Sequence, residues 1–438
     1  MRIHLGIDDT DSHLGGCTTK IATDLVMSLV KKGVAFTDYP NLIRLNPNVP
    51  WKTRGNAAIC LRMETHLDGN SILESTLRIV ERASNLKEPD TDPAVVIIEG
   101  EVPNRVIHFS EDALTRLMDP AEAMSIVKDV GGTAIAYKTS RGIVGALAAI
   151  GAMLTSDHTY ELISYRSKAF FGTPRLVDKD QVLEMDRQTW GLTYNNVDPE
   201  TGRLLLTPHG PDPILCGIRG ESPHVVRNAF EMLRIREPVD AWMIFRSNQG
   251  TDAHLVRKLV VSQLEDNCTA VVKGRVGEKP HTIRGGHVIF RLDDETGSVH
   301  CAAYEPTGRF REIVRMLEPQ DEVRAFGGVR PAGKATPRTL NLEKLEILEA
   351  ARCLIPRNPR CVTCGRSMKS AGRKQGFRCK RCGTHQSSRV VVERPRLIRP
   401  GIFLPPPRAH RHLTKPQVRY GREHADATVR PAAGWHYP

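Results

Sequence analysis

The stretch GIDDTDSHLGGCTTK, residues 6–20, places three aspartates directly after RIHLGI, an alternating run at residues 2–7. The alternation predicts a short strand that ends at Asp8. Apolar residues then recur at helical spacing over residues 21–30 and stop before Gly33, which predicts a helix with a glycine C-cap. The acidic turn therefore lies between a strand and a helix, as is typical of an α/β domain.

Carboxylates at the end of a strand are the oxygen ligands that Mg²⁺ uses when it also holds substrate phosphates. The three candidates are Asp8, Asp9 and Asp11. Gly15 and Gly16 allow backbone amides to approach a phosphate, and a helix that begins near Thr18 directs its positive end at that anion. The spacing matches no Walker A sequence, and an acidic turn is often only solvated. This stretch alone therefore leaves a phosphate site and a structural turn equally open.

Two further polar segments add candidate ligands. PWKTRGNAA, residues 50–58, forms a loop between two predicted strands, and its donors suit a triphosphate. FRSNQGTDAH, residues 245–254, follows an apolar strand and predicts a ligand pocket. A basic loop and ordinary turn chemistry are the alternatives. The candidates in the first segment are Lys52, Arg54, Gly55 and Asn56. Those in the second are Arg246, Asn248, Gln249, Asp252 and His254.

The remaining pattern indicates a multidomain chain with α/β and α+β parts. An α/β unit is expected over residues 1–130, and helices between strands over residues 131–262 favour a ferredoxin-like α+β sandwich. Residues 268–348 read as three strands, a short helix and two strands, the order of an OB-fold barrel. A Pro- and Arg-rich tail occupies residues 393–438 and is expected to stay extended or disordered until RNA binds.

Between the barrel and the tail, residues 353–392 contain two C-x-x-C pairs. Four thiolates at this spacing suit one structural zinc ion with no coordination position open to substrate, so a zinc ribbon is expected. Cys353 and His385 are nearby but less favoured ligands. The other cysteines are scattered, and no disulfides are expected. The predicted zinc ligands are Cys361, Cys364, Cys379 and Cys382.

Charge is concentrated at the carboxyl end. Residues 353–438 contain 19 Lys and Arg but 3 Asp and Glu, a local net charge of +16, whereas residues 1–352 carry −4 and the whole chain +12. Such a field favours a nucleic-acid partner over a membrane, although a solubilising tail is the alternative. The residues expected to contact phosphate backbone are Arg366, Arg373, Lys374, Arg378, Lys380 and Arg381.

The sequence predicts a soluble, cytoplasmic protein. Its first ten residues include two acids where a signal peptide needs an apolar run, and the longest apolar stretch, residues 142–154, is too short to span a bilayer.

The three polar segments, in this order and followed by an OB-like barrel and a four-cysteine ribbon, resemble the archaeal isoleucine-tRNA 2-agmatinylcytidine synthetases. The likeness extends to about Val392. In that family the wobble cytidine of a CAU-anticodon isoleucine tRNA is joined through its 2-position to agmatine at the expense of ATP. The resemblance implies an ATP-dependent kinase-like domain, a ferredoxin-like domain, an OB-fold and a zinc ribbon. It implies tRNA and agmatine as partners and no obligate protein partner.

The family reaction resembles phosphoryl activation of the base's 2-carbonyl oxygen, followed by displacement of phosphate by agmatine's amine, with ATP ending as AMP. By this resemblance Asp8, Asp9 and Asp11 serve Mg²⁺ and catalysis. Thr18 is associated with phosphoryl transfer, as a phosphate contact and a candidate acceptor. Charge complementarity favours Asp252 for the cationic end of agmatine. The ATP-binding candidates are Gly15, Gly16, Thr19, Lys20, Lys52, Arg54, Gly55 and Asn56.

Two other function classes remain possible from sequence. One is a non-catalytic protein that binds RNA or single-stranded nucleic acid, against which the intact polar segments argue. The other is a small-molecule kinase, against which the basic carboxyl-terminal region argues.

Overall fold

The strand expected before the acidic turn lies inside a large sheet. The structure is a computed structural model that describes residues 1–53, 55–211, 213–334, 336–426 and 429–438. The first elements are β1 (Arg2–Asp8), α1 (Thr18–Lys31), β2 (Ala35–Phe36), β3 (Asn41–Arg44), β4 (Ala57–Glu64), α2 (Gly69–Ala83), β5 (Ala94–Glu99), α3 (Asn104–Ala113), α4 (Pro120–Asp129), β6 (Thr133–Ala136) and α5 (Gly142–Gly151). The next are β7 (Thr159–Arg166), α6 (Lys179–Gln188), β8 (Thr193–Tyr194), β9 (Ile214–Gly220), α7 (Pro223–Glu231) and β10 (Val239–Ser247).

These strands form one sheet in the order β6-β5-β1-β4-β3-β10-β7-β9-β8. Most neighbours are antiparallel, but β3 and β10 pair in parallel, with Arg246 opposite Asn41 and Ser247 opposite Leu42. This one pairing joins the sheet of the first segment to that of the second.

The two faces of β1 have different packing requirements. Ile3, Leu5 and Ile7 are fully buried in one apolar cluster with residues of α1, which confirms the predicted strand and helix. On the opposite face α5 lies so close that a Cβ atom added at Gly6 would be 2.0 Å from the carbonyl oxygen of Ala146. Only glycine permits this approach of helix to strand.

The expected boundary after residue 130 does not match the packing. Strand β6 pairs with β5, with Ala136 opposite Ala94, and α5 packs on β1, β4 and β5. Both elements therefore pack on strands of the first segment, so contacts cross the expected boundary. A change in local pattern does not reveal which earlier strand a later element will join.

Residues 269–349 form a closed barrel of five strands. Its elements are β11 (Thr269–Val276), β12 (His281–Thr282), β13 (Val288–Asp294), β14 (Gly297–Ala303), α8 (Phe310–Arg315), β15 (Glu322–Arg330) and β16 (Thr339–Glu349). The strand order is β11-β15-β16-β14-β13, and pairing of β11 with β13 closes the ring. The predicted order of strands and helix is confirmed, with the short β12 added as a partner of β13.

The cysteine-rich segment is a small antiparallel unit. Its strands are β17 (Cys353–Arg357), β18 (Lys369–Ser370), β19 (Phe377–Arg378), β20 (His385–Gln386) and β21 (Val390–Arg394). Strand β17 pairs with β21, and β19 lies between β18 and β20.

The carboxyl-terminal segment, residues 393–438, is folded in the part that the structure describes, contrary to the expectation of an extended or disordered tail. Strand β22 (Gly401–Phe403) pairs with β16 of the barrel, and β23 (His436–Tyr437) pairs with β10 of the large sheet. Between them Arg419 is fully buried and donates to Asp157 and Glu221, at 3.0 and 2.8 Å. Its partners are acids that lie far away in sequence, so composition alone did not reveal them.

The last residues also contribute to the core. The ring of Trp435 packs edge-on against Phe36 and Tyr39, with centroids 5.8 and 6.1 Å away. Separately, none of the helices in the described part of the chain has the length and apolar content needed to cross a membrane.

Replacing Gly6 with alanine is expected to destabilise the fold, because the added methyl would collide with the backbone of α5. We expect the free energy of unfolding to fall by about 3 kcal/mol, at the upper end of overpacking effects. Thermal unfolding of Gly6→Ala and wild type measures the change. Gly210→Ala is the matched control, since a Cβ there has nothing within 4 Å. Equal melting temperatures for Gly6→Ala and Gly210→Ala would contradict this packing.

Candidate active site

The acidic turn opens into a cavity of about 690 Å³ at the end of β1. Asp8, Asp9 and Asp11 all line it, together with Thr18 and Thr19 at the start of α1. Asp9 has a φ of 55°, a left-handed conformation that redirects the chain directly after the strand. The turn therefore presents its carboxyl groups and the amino end of α1 to the same space.

Burial dominates the electrostatics of the first two aspartates. It raises the pKa of Asp8 well above its usual range, and the neighbouring charge of Asp9 raises it further. Burial also raises the pKa of Asp9 to about 7, although Arg141, whose Nη2 lies 3.5 Å from Asp9 Oδ2, opposes this shift. A cation in the cavity would favour the charged form of both groups.

The glycine pair shapes the turn and does not line the cavity. Ser12 and Gly15 exchange backbone hydrogen bonds of 2.7 and 3.3 Å. Gly16 has a φ of 79°, and a Cβ there would be 2.9 Å from the carbonyl oxygen of Thr10. Thr10 in turn donates through its hydroxyl to that of Thr18, at 3.0 Å. The glycines therefore act on the site by fixing the position of Thr18.

Lys20 also lies outside the cavity lining. Its Nζ contacts Asp24 at 2.6 Å and Asp240 at 3.5 Å, so it faces away from the acidic turn. The structure does not bring Lys20 to the cavity, because the helical rotation between Thr18 and Lys20 carries the lysine side chain to another face of α1.

The loop between β3 and β4 forms a second wall. Lys52, Gly55 and Asn56 line the cavity, whereas Arg54 lies outside the described residues. Asn56 has a φ of 47° and donates to the carbonyl oxygen of Asn46 at 2.8 Å, which holds the loop closed. Lys52 is thus the described cation that this loop supplies to the cavity.

The segment at residues 245–254 does not line the cavity, contrary to the expected substrate pocket. Arg246 is fully buried and pairs with Asp38 at 2.9 Å, and His254 contacts Glu343 at 2.9 Å. Asn248 and Gln249 accept hydrogen bonds from Arg44. Asn248 accepts from its backbone N–H at 2.8 Å, and Gln249 accepts from its Nε at 3.2 Å.

Asp252 lies outside the cavity lining and has partners of its own. It forms an ion pair with Lys344 of the barrel and accepts from the backbone N–H of Lys415 at 2.7 Å. Both partners lie far along the chain, so the sequence around Asp252 did not indicate them. A dense polar segment can stabilise the packing of distant elements as well as bind a ligand.

Several cavity residues were missed in the sequence. Glu161, on β7, is 3% exposed and accepts from Arg219 at 3.1 Å and from Gln249. The signal available for it was a lone acid inside the buried strand YELISYR, residues 160–166. Arg408 and His412 belong to the carboxyl-terminal segment. No local sequence pattern indicated that this segment would line the cavity. The missed residues of the lining include Arg44, Arg141, Glu161, Arg219, Arg408 and His412.

Arg44 lies where these walls meet. Burial lowers its pKa to about 10, so its guanidinium remains charged at neutral pH. That charge lowers the pKa of His412 well below its usual range, which leaves the imidazole neutral. The cavity thus combines a carboxyl wall on the acidic turn with a cationic wall around Arg44 and Lys52, an arrangement suited to a phosphate ester and its counter-ion.

The four ribbon cysteines converge as predicted. Their sulfurs are all within 4.8 Å of one another, with closest separations of 3.2 Å for Cys361–Cys382 and 3.5 Å for Cys364–Cys379. Tetrahedral zinc with Zn–S bonds of about 2.3 Å needs sulfurs about 3.8 Å apart, so the set fits with small adjustments. It is the only such group of three or more ligands among the described residues. The six basic side chains predicted around it are all exposed.

Three segments of the chain match models of known protein domains. Family models match at residues 4–69, the TiaS TCKD domain, at residues 140–254, the TiaS FLD domain, and at residues 358–398, the TiaS C-terminal zinc ribbon domain.

Similarity to curated proteins extends over almost the full length. The isoleucine-tRNA 2-agmatinylcytidine synthetase TiaS of Methanosarcina mazei is 41% identical, with 98% of this chain and 99% of the relative covered. The same enzyme of Methanopyrus kandleri is 42% identical over 94% and 96%.

Solved structures are also similar to this chain over almost its full length. The crystal structure of TiaS in complex with its isoleucine tRNA and ATP matches with a TM-score of 0.87 and 37% identity, covering 96% of this chain and 97% of that one. The complex of TiaS with the same tRNA, AMPCPP and agmatine matches with a TM-score of 0.84 and 35% identity over the same shares. The chain belongs to the archaeal isoleucine-tRNA 2-agmatinylcytidine synthetase family.

Proposed function

We infer that this protein uses ATP to join agmatine to an isoleucine tRNA. The observation that carries the inference is the coexistence of a carboxyl wall and a cationic wall in one cavity of a chain that aligns with 99% of a curated relative. Relatives of this chain have been crystallised with isoleucine tRNA, ATP and agmatine, the three substrates that such a reaction needs. The acceptor position is proposed to be the 2-position of the wobble cytidine in a CAU anticodon.

The chemical course that we propose runs through a phosphorylated cytidine. The 2-carbonyl oxygen takes one phosphoryl group from ATP, and the primary amine of agmatine then displaces it as phosphate. Transfer of a second phosphoryl group, to Thr18 or to water, leaves AMP. Thr18 is proposed to contact the transferred group or accept it, which is supported by its place in the cavity lining and by the hydrogen bond that its hydroxyl accepts from Thr10. Loss of phosphate requires mainly charge stabilisation and alignment, which the two walls supply.

Mg²⁺ fits the acidic turn. The pKa values of Asp8 and Asp9 are raised chiefly by burial, so both carboxyls would gain from a cation. Mg²⁺ commonly takes one or two carboxylates and completes its shell with substrate phosphates and water. When bound, it would neutralise negative charge on the transferring phosphoryl group. The candidates to hold it are Asp8, Asp9 and Asp11, of which one or two carboxylates at a time would suffice.

The architecture that accompanies this function is proposed to be an ATP-dependent kinase-like unit, a ferredoxin-like unit, an OB-fold and the zinc ribbon. The closed five-strand barrel supports the OB assignment. Exposed cations on the ribbon are proposed to contact the tRNA backbone. The protein is expected to act in the cytoplasm.

Removing one charge from the acidic turn tests the catalytic assignment. We expect Asp8→Asn and Asp9→Asn each to lower agmatine incorporation roughly a hundredfold, since each loses a potential metal ligand while keeping its shape. Mass spectrometry of digested tRNA after incubation with Mg-ATP and agmatine measures incorporation. Asp24→Asn, on α1 but outside the cavity lining, is the control. Wild-type incorporation in both variants would refute the assignment, and none in wild type would refute the function.

Thr18→Val keeps the β-branched shape and removes the hydroxyl. Any phosphate carried by this residue should disappear from the intact-protein mass after incubation with ATP, and turnover should fall if the hydroxyl handles the transferred group. Thr23→Val, which alters a buried α1 threonine outside the cavity lining, serves as the control. A phosphorylated Thr18→Val protein would exclude Thr18 as the acceptor.

Cys364→Ser should remove stoichiometric zinc, because three thiolates hold the metal far less tightly than four. We expect tRNA affinity to fall as the ribbon unfolds, with ATP binding less affected. Metal content by elemental analysis and tRNA affinity by filter binding are the measurements. Cys353→Ser, outside the four-sulfur group, should retain both. Normal tRNA binding by a zinc-free protein would show that the ribbon plays no part in recognition.

A further inference from the structure

The segment at residues 245–254 holds the carboxyl-terminal segment against the active site. The backbone N–H groups of Gly250 and Asp252 donate to the carbonyl oxygens of His412 and Leu413, at 2.9 and 2.8 Å. Asp252 also accepts from the N–H of Lys415 through its side chain, across 163 positions of sequence. These bonds fix the path of the chain at the cavity wall.

A turn at residues 411–414 places the side chains of Arg411 and His412 beside the two cavities. The backbone N–H of Arg411 donates to the hydroxyl of Thr414, and the N–H of Thr414 donates to the carbonyl oxygen of Arg411, both at 3.0 Å. His412 lies so close to Gly55 that a Cβ there would be 2.8 Å from its Nε2. The loop that carries Lys52 therefore packs directly on the carboxyl-terminal segment.

A second cavity, of about 290 Å³, lies at this contact. It shares Arg44, Lys52 and His412 with the large cavity and adds His410 and Arg411. No carboxylate is found among its lining residues in the described chain. The two cavities adjoin at the shared residues, and the smaller one is bordered by three cations, on Arg44, Lys52 and Arg411, and by the imidazoles of His410 and His412.

The cations here differ from others in the segment. Arg408 lines the large cavity too, but it is neutralised by Asp198 and Glu200 at 2.8 and 2.7 Å. Arg411 is exposed, and its guanidinium has no hydrogen-bond or ion-pair partner among the side chains that the structure describes. The charge of Arg411 also acts, after burial, to lower the pKa of Lys52. Among carboxylates, Glu343 is buried, which opposes its ionisation, and the charges of His254 and Arg411 lower its pKa, but Glu343 is held by His254. Like charges such as those of Arg411 and Lys52 are stabilised by an anion between them.

We propose that the carboxyl-terminal segment completes the active site, with Arg411 and His412 acting beside Lys52 as ligands for a phosphate group of the substrates. The proposal rests on the function inferred above. Arg411 supplies charge, and the neutral imidazole of His412 supplies one N–H donor. The phosphate belongs either to the ATP polyphosphate chain or to the RNA backbone near the bound cytidine, since both present the same oxygens to a guanidinium.

Arg411→Gln tests the site in two binding assays that need no turnover, so their outcome is separate from that of agmatine incorporation. The first measures AMPCPP affinity without tRNA. The second measures tRNA affinity without nucleotide over a range of salt. Arg399→Gln removes an equal charge from an exposed position of the same segment, outside both cavities, and serves as the control. Melting temperatures establish that both variants fold.

A loss of roughly tenfold in AMPCPP affinity relative to the control would assign the phosphate to the nucleotide. A similar loss in tRNA affinity, with the salt slope reduced by about 0.7 to 0.9, would assign it to the RNA backbone. Affinities equal to those of Arg399→Gln in both assays would overturn the proposal.

Two further variants keep the test decisive if Arg411→Gln unfolds. Arg411→Lys retains the charge, and at least part of the phosphate affinity should survive in it. Lys52→Gln combined with Arg411→Lys should be non-additive if both side chains contact the same phosphate. Strict additivity in the affected assay would show that they do not share a ligand.

Discussion

The parallel pairing of β3 with β10 determines how the catalytic half of the molecule is built. It joins two sets of strands into one sheet through only two register positions, Arg246 with Asn41 and Ser247 with Leu42. Asn248 extends the ladder with its side chain, accepting from the N–H of Arg44 and donating to its carbonyl oxygen, at 2.8 and 2.9 Å. The acidic turn, Arg44 and Glu161 are consequently carried by one continuous framework, which fixes their separations.

Buried ion pairs then hold the later segments on this framework. Arg166 with Glu237, Arg246 with Asp38, and Arg419 with Asp157 are each almost fully buried. Removing one partner from such a pair leaves an isolated charge in the interior at a cost of about 3–5 kcal/mol. The positive charge counted in the carboxyl-terminal region is therefore divided between internal pairing and the exposed surface of the ribbon.

Features encoded within a few residues were predictable, and those that depend on distant partners were not. The acidic turn and the cysteine pairs carry their chemistry in local spacing, and the structure brings each set together. Lys20 and Asp252 have equally suggestive sequence neighbours, but their side chains pair with Asp24 and Lys344 away from the cavity. Nothing near Arg411 in the sequence indicates that the pairing of β22 with β16 and the burial of Arg419 will bring Arg411 to the cavity.

The position of β23 has a consequence for the order in which the large sheet forms. Its residues pair with β10, and Trp435 packs beside Phe36 and Tyr39, so positions about 400 residues apart in sequence share one core. Contacts of such long sequence separation form late, because the entropy of closing the loop must be lost before they stabilise the fold. The final packing of this part of the sheet therefore waits for the docking of β23, whereas the barrel can form from strands that are near one another in sequence.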